Sequence, residues 1–520
     1  MTAPNKKLAE SLEILRELQQ TKGIALKSSE ISRTHKERLV KNGFLKETAK
    51  GWYITTNPNE NIGDSTSWYT SYWQFCSRYL NTKYDNKYCI SADQSIIIHS
   101  GNSTIPTQLI VRATKAPNLP INLLHGTSLF IMKSSLPESS EIIIRHGVHI
   151  MKLSLALIHC SPILFEKNPL EVTTALTQVK SSSEVIKYLL EGSHSVIAGR
   201  LAGAFRNIGR DQFADDILKT MTAADFKIRE INPFKKPPSI KLSFRDHSPY
   251  PNRIKLMWQN MRGMILKHFP PPPGLPKDKE QYLKSIDELY VTDAYHSLSI
   301  EQYNVSPDLI EKVRMGNWNL ENVEDKKQRD AMSAKGYWQA TQAVRKSIEK
   351  ILDGSNSGEI IEQDHGDWYR ALFAPSVNAG ILNITDLAGY RSSQVYITQS
   401  KHIPLNQDAV LDSMPILFEL LQTESHAGVR AILGHFIFVY IHPYMDGNGR
   451  MARFLMNTML ASGGYPWTVI PVEKRKEYMH SLEEISANQN PEPFIKFIAN
   501  LVKKSLSGHP IAKIDPSLFN

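Results

Sequence analysis

The residues able to do chemistry cluster between His442 and Arg453, in the run HPYMDGNGRMAR. The run holds an imidazole, a carboxylate at Asp446, two glycines flanking Asn448, and the guanidiniums of Arg450 and Arg453, one helical turn apart. An imidazole with an ordinary pKa near ~6.5 is largely neutral at neutral pH and can take a proton. Asp446 can hold a divalent cation that bridges phosphate oxygens. Glycines leading into a helix leave backbone N–H groups at the positive end of its dipole, where an anion binds. A base, a metal carboxylate, an anion nest and two guanidiniums are the parts needed for displacement at a phosphate. A plain capped helix turn would account for the glycines but not for His442, Asp446, Arg450 and Arg453 together.

The elements that must position these groups follow from periodicity. Ile432, Phe436, Val439 and Tyr440 mark a buried helix that ends at His442-Pro443. A second helix is predicted from Asn448 or Gly449 through Leu460, with Leu455, Met456 and Met459 inward. Upstream, DELYVTDAYHSLSIEQYNV predicts a helix that puts Ser297 and Glu301 on one face. YRSSQVYITQSKHIP, residues 390–404, alternates like a strand and returns through a polar turn.

HPYMDGNGRMAR resembles the HPFx[D/E]GNGRxxR signature of Fic-domain proteins, and the likeness runs over residues 290–500 through HGDWYRALFAPS, LAGYRSSQVYI and KEYMHSLEEI. The resemblance implies a mostly α-helical fold around a helix–loop–helix core with a β-hairpin flap. It implies transfer of AMP from ATP to a Ser, Thr or Tyr hydroxyl of a target protein, or of the chain itself, with release of pyrophosphate. On that basis His442 is the general base and Asp446 the ligand of Mg²⁺ or Mn²⁺. The amides of Gly447, Asn448 and Gly449 hold the α-phosphate, with the Asn448 side chain offered as well, and Arg450 and Arg453 meet the outer phosphates. Family members that phosphorylate instead carry Lys where this chain has Gly449. Val395, Tyr396, Ile397 and Thr398 fall on the flap, over nucleotide and target. Tyr478 is a candidate for the adenine pocket, with a core role as the alternative. Tyr444 stands where the family usually has Phe.

Ser297 and Glu301 match the inhibitory motif [S/T]xxxE[G/N] of many Fic proteins, with Gln302 in place of the Gly or Asn. That resemblance implies that Glu301 pairs with Arg453 and blocks productive ATP binding. In some family members the same Glu positions water for removal of AMP, so a deAMPylase is an alternative. Family resemblance also suggests a homodimer.

The 520 residues suggest about three domains, and 41% apolar against 22% charged residues is globular in character. The net charge of +9 is uneven: residues 1–270 carry 36 basic and 22 acidic side chains, residues 271–520 carry 25 and 30. Such asymmetry suggests a basic half that meets a polyanion. Cys76, Cys89 and Cys160 have no C-x-x-C spacing, which argues against a disulfide framework or a zinc ribbon. The longest strongly apolar stretch, Phe436 to Ile441, is far short of a membrane span, and the reading is a cytoplasmic protein without a membrane partner.

Leu8, Leu12, Leu15 and Leu18 predict a helix over residues 5–20, Gly23 its end, and Ser29 or Ser32 the cap of a basic helix carrying Arg33, His35, Lys36 and Arg38. FLKETAKGWYIT predicts a hairpin, and this order is that of a winged helix-turn-helix over residues 1–60. In Gly43-Phe44-Leu45-Lys46 and Gly51-Trp52-Tyr53 it resembles the winged helix of the abortive-infection antitoxins of type IV toxin–antitoxin systems. The implied partner is duplex DNA, the alternative a module packed on a partner domain. Strand-like and then helical runs predict an α+β interaction domain over 66–230, whose His99, His125, His146, His149 and His159 read as ordinary core or surface residues. A basic, proline-rich linker is expected over 231–276, and a Fic domain over 277–505 with its inhibitory helix near 285–303. A competing reading of the whole chain is a DNA-binding regulator that uses the Fic core as a nucleotide sensor.

Overall fold

The computed structural model describes residues 4–60, 63–238, 240–244, 248–317 and 325–514. The chain divides into two compact units, one of Met1–Leu256 with Tyr396–Ile403, the other of Met257–Val395 with Pro404–Asn520. Among the described residues no helix is long and apolar enough to cross a membrane.

The first unit opens with α1 (Pro4–Lys22), β1 (Ala25–Lys27), a single 3₁₀ turn, α2 (Arg33–Lys41), β2 (Leu45–Ala49) and β3 (Trp52–Thr55). The three strands form an antiparallel sheet in the order β1-β3-β2. Ser32 caps α2 by accepting from the His35 N–H. Leu15, Leu26, Ile31, Leu39 and Leu45 close a small core.

No element was assigned in advance to the following α3 (Thr66–Tyr84), where the strand propensity of Trp, Tyr and Phe competes with helical spacing. Its buried Trp68, Tyr72, Phe75 and Tyr79 nevertheless fall at helical spacing. β4 (Tyr88–Ile90), β5 (Gln108–Ala113), β6 (Pro120–Asn122) and β7 (Ser128–Lys133) make a four-stranded sheet ordered β4-β5-β7-β6. β8 (Ile142–Arg145) and β9 (Val148–Met151) pair separately. The expected strand through SADQSIIIHS is instead α4 (Ala92–His99), started by the Ser91 cap. Capping and burial of Ile96 override the β-branched run there. The rest is helical: α5 (Leu153–His159), α6 (Leu164–Lys167), α7 (Pro169–Thr177), α8 (Ser183–Glu191), α9 (Ser195–Asn207) and α10 (Asp211–Ala223). His99 bonds the Met151 carbonyl, and His146 and His149 stack on Trp73 and Tyr88, so these three are packed residues.

Described residues of the expected proline-rich linker over 231–276 pack against the fold. Gly199 and Gly203 make room for the Arg229 and Ile231 carbonyls, which a Cβ would meet at 2.0 and 2.2 Å. Phe234 and Leu242 are buried, and residues 250–268 form α11 (Tyr250–His268). Residues 239 and 245–247 of the segment lie outside the described residues. The proline run is packed as well, with the Pro270 carbonyl accepting from the Tyr465 hydroxyl at 2.6 Å.

The second unit is helical: α12 (Lys279–Ile300), α13 (Pro307–Arg314), α14 (Asp325–Leu352), α15 (Ser357–Asn378), α16 (Gln407–Thr423), α17 (Ala427–Ile441), α18 (Asn448–Ala461), α19 (Arg475–Asn488) and α20 (Glu492–Leu506). α17 is apolar almost all round and correspondingly buried. Gly434 lets α18 approach it, since a Cβ there would meet Leu455 Cδ2 at 2.5 Å. The expected β-hairpin over 390–404 is absent among the described residues. Side chains satisfy its backbone instead: Arg391 donates to the Ser393 and Leu405 carbonyls, and the Gln394 amide to those of Val395 and Pro404. Carbonyls held this way need no ladder partner.

Candidate functional site

The site is built where α17 ends and α18 begins. His442 caps α17 in the left-handed region (φ 57°), and its N–H bonds the Phe438 carbonyl at 2.9 Å. Arg391, which is buried, donates to the His442 carbonyl at 2.7 Å, and its own N–H bonds the Pro443 carbonyl at 2.9 Å. Tyr444 plugs the loop from below, stacked on Tyr369 at 3.8 Å. Arg391 escaped the sequence reading because its role is carried by contacts to distant carbonyls.

The His442 Nδ1 lies 3.2 Å from the Val439 carbonyl. A carbonyl only accepts, so Nδ1 carries the hydrogen and Nε2 keeps its lone pair. Burial lowers the imidazole pKa to about 4, against the opposing pull of the Val439 bond and of the Glu301 and Asp446 charges. The ordinary value expected from composition is therefore displaced downward, and His442 is a neutral acceptor throughout the neutral range.

Gly447 precedes α18 with φ 79°, and a Cβ on it would meet the Phe373 ring at 2.7 Å, so both conformation and space require glycine. The first helical bond is from the Met451 N–H to the Gly447 carbonyl, which leaves the amides of Asn448, Gly449 and Arg450 without an acceptor one turn back. The Asn448 side chain, expected to face a phosphate, is instead buried and bridges both backbone groups of Tyr444 at 2.8 and 2.9 Å. It shapes the loop and leaves its main-chain amide at the helix end.

Asp446 is exposed, pairs with Arg450 at 3.2 Å and accepts from the Gly447 N–H at 2.6 Å, so the Gly447 amide, expected to hold phosphate, is taken by a side chain and the open amides are those of Asn448, Gly449 and Arg450. Among the described residues no group of three or more His, Cys, Asp or Glu could hold a metal ion. A single exposed carboxylate suits a cation that takes its other ligands from phosphate and water.

Arg450 and Arg453 are 1% and 3% exposed. Arg453 donates to the Ser297 hydroxyl at 2.8 Å, the Ser297 carbonyl at 3.0 Å and Glu301 at 2.8 Å. Burial opposes its charge, and Glu301 more than offsets that, so its pKa is raised. Arg450 Nε and Arg453 Nη1 are buried without a hydrogen-bond partner. Orphaned guanidinium donors beside an open helix N-terminus fit a polyphosphate. Gly449 makes the pairing possible, because a Cβ there would lie 2.4 Å from Glu301 Oε1.

The remaining predicted residues fare differently. Tyr478 is 1% exposed, with its hydroxyl on His435 at 2.7 Å and its ring against Phe494 and Phe497, which favours the core alternative over an adenine contact. Val395 belongs to the second unit, whereas Tyr396, Ile397 and Thr398 group with the first. On α2, Arg38 donates to Lys7 and Ser11, His35 contacts Ser11, and Lys36 donates to Ser28 and lies over the Tyr53 ring. Arg33 is exposed and paired with Glu37 at 2.7 Å.

Residues 362–460 match the model of the Fic/DOC family. The chain is 36% identical over 121 residues to the protein adenylyltransferase Fic of Drosophila willistoni and 37% identical over 121 residues to that of Drosophila mojavensis. Each match takes in 22% of this chain and 24% of the relative, so the chain spans about a quarter of the length of the curated relatives it matches. Among solved structures, Fic-1 from C. elegans is similar at 17% identity and a TM-score of 0.37, over 65% of this chain and 87% of that one. A Fic domain containing signaling protein from Bacteroides thetaiotaomicron is similar at 17% identity and a TM-score of 0.34, over 51% of this chain and all of that one.

Proposed function

We propose that this chain, whose residues 362–460 match the Fic/DOC family, is a protein adenylyltransferase that moves AMP from ATP to a protein hydroxyl. The observation that carries the reading is the neutral His442 beside the open N-terminus of α18 and two buried arginines with unused donors. His442 Nε2 takes the proton of the attacking hydroxyl, whose oxygen bonds the α-phosphorus while the bond to the bridging oxygen of pyrophosphate breaks. The amides of Asn448, Gly449 and Arg450 receive the non-bridging oxygens, and Arg450 and Arg453 neutralise the outer phosphates. Asp446 would hold a Mg²⁺ or Mn²⁺ ion, which supplies charge neutralisation at the phosphates.

Glu301 is the brake in this reading. Its ion pair with Arg453, together with the clearance at Gly449, supports occupation of the place where a γ-phosphate would meet that arginine. Glu301→Gly should raise labelling of the protein by ATP carrying an α-phosphate label, and His442→Ala in that background should abolish it. Unchanged labelling in the Glu301 variant refutes the brake, and labelling that survives His442→Ala refutes the base.

For the first unit we propose duplex DNA as partner of a winged helix over residues 1–60. Support comes from the order helix, strand, short turn, basic helix and hairpin, and from the positive charge of that half. With His35 and Arg38 turned toward α1 and Lys36 engaged by Ser28 and Tyr53, the exposed Arg33 is the α2 side chain that this reading sets on phosphate, in exchange for its pair with Glu37. Affinity for a duplex should fall steeply with ionic strength. Binding that ignores salt, or survives deletion of residues 1–60 unchanged, overturns this assignment.

A further inference from the structure

The end of α12 carries more than Glu301. The Gln302 N–H bonds the Ser299 carbonyl at 3.0 Å and the Tyr303 N–H bonds the Leu298 carbonyl at 3.1 Å, with Gln302 in the left-handed region at φ 66°. Those two bonds around a left-handed residue are a Schellman ending, which fixes the direction of the chain past the helix. The direction delivers Tyr303 to Arg450. The guanidinium carbon of Arg450 lies 5.1 Å from the Tyr303 ring centroid and 5.0 Å from that of Phe373, within the range of cation–π attraction. Phe373 is itself fixed from α15 against Gly447.

Attraction to a ring makes no use of the N–H donors. Arg450 keeps one donor on Asp446 at 3.2 Å, and its Nε remains without a partner. The two rings therefore hold the cation in place while its donors stay available to an anion. Glu301 acts differently on the neighbouring arginine, where a carboxylate of the protein takes one donor, Arg453 Nη2, at 2.8 Å.

We infer that Tyr303 is a positioning residue for Arg450, so that a single turn at the end of α12 carries both the brake of the site and a support for it. This rests on the nucleotide reading proposed above. The consequence is specific: relief of inhibition comes from the Glu301 side chain leaving Arg453 while the turn stays, not from withdrawal of the whole helix end, which would also strip Arg450 of its ring. A tyrosine that merely filled space would be replaced without loss by an apolar side chain of similar bulk.

The test separates ring from bulk. Tyr303→Leu and Tyr303→Phe are made in full-length protein carrying Glu301→Gly, and MgATP affinity is measured by calorimetry in versions that also carry His442→Ala. Tyr303→Leu should weaken MgATP on the order of tenfold, whereas Tyr303→Phe, which keeps the ring face, should bind as the parent does. In versions that retain His442, the leucine variant should raise KM for ATP with kcat little changed. Parental affinity in the leucine variant, or a phenylalanine variant as weak as the leucine one, overturns the assignment. If the parent with Glu301→Gly and His442→Ala binds no MgATP at all, the nucleotide reading falls and takes this role with it. If the parent binds and only the Tyr303 result fails, the nucleotide reading stands.

Discussion

Glu301→Gly should make the protein less stable alone and more responsive to nucleotide. Arg453 is 3% exposed, and without Glu301 its remaining partners are the hydroxyl and carbonyl of Ser297. Removing one partner of a fully buried pair costs about 3–5 kcal/mol. The Glu301 side chain is 29% exposed, so solvent already weakens the pair, and about 1–3 kcal/mol is the expected loss. For a unit of this size roughly 2 °C of melting temperature goes with each kcal/mol, giving a fall of about 2–6 °C. MgATP reverses the order of effects. At about 100 times its Kd a ligand stabilises by about 2.7 kcal/mol, and the variant should realise that gain at lower concentration because Arg453 is no longer occupied. Scanning calorimetry across an MgATP titration reads both quantities. A variant that melts at the wild-type temperature and gains no more from MgATP than wild type does would refute the idea that Glu301 and phosphate compete for Arg453.

Two further predictions concern the same site. Burial lowers the pKa of His442 to about 4 and that of His435 to about 3, so between the unfolded value near ~6.5 and those folded values the unfolded chain binds more protons. Their contribution to stability is complete above about pH 6.5 and is lost as pH falls, toward about 4 for His442 and about 3 for His435. Urea unfolding at stepped pH should show that decline, His435→Gln should flatten it, and an NMR titration that finds His442 protonating near its ordinary pKa would contradict the burial. Gln302→Gly removes a side chain from a left-handed residue and should stabilise by about 1 kcal/mol, seen as a melting rise of about 2 °C, while lowering basal labelling through a better-fixed Glu301. Unaltered melting would mean that the turn is not strained.

The local part of the site was legible from residue order. His442, Asp446, Gly447, Gly449, Arg450 and Arg453 lie in a single run, and a helix end followed by a glycine turn and a helix start places such a run without help from distant residues. Ser297 and Glu301 shared a face because α-helical geometry alone puts residues four apart together. The family motif's Gly or Asn after Glu301 also acquires a physical meaning, since that position adopts φ 66°. The flap was misread and α3 left unassigned for related reasons. Alternation and aromatic content report strand preference, but side-chain hydrogen bonds from Arg391 and Gln394 replace the ladder in the first case, and burial at helical spacing prevails in the second.

What the sequence by itself determined about this protein is the chemistry within its reach: a base, a carboxylate, an anion-binding helix start and two guanidiniums, held by spacings that local backbone geometry enforces. Tertiary structure alone decided how those groups are set. Arg453 meets Glu301 and Arg450 meets Tyr303 across about 150 residues of chain, Asn448 turns inward to Tyr444, Arg391 holds the carbonyl of His442, and burial brings the His442 pKa to about 4. Pairing, burial and electrostatic field depend on which distant segments fold together, and no window of sequence contains them.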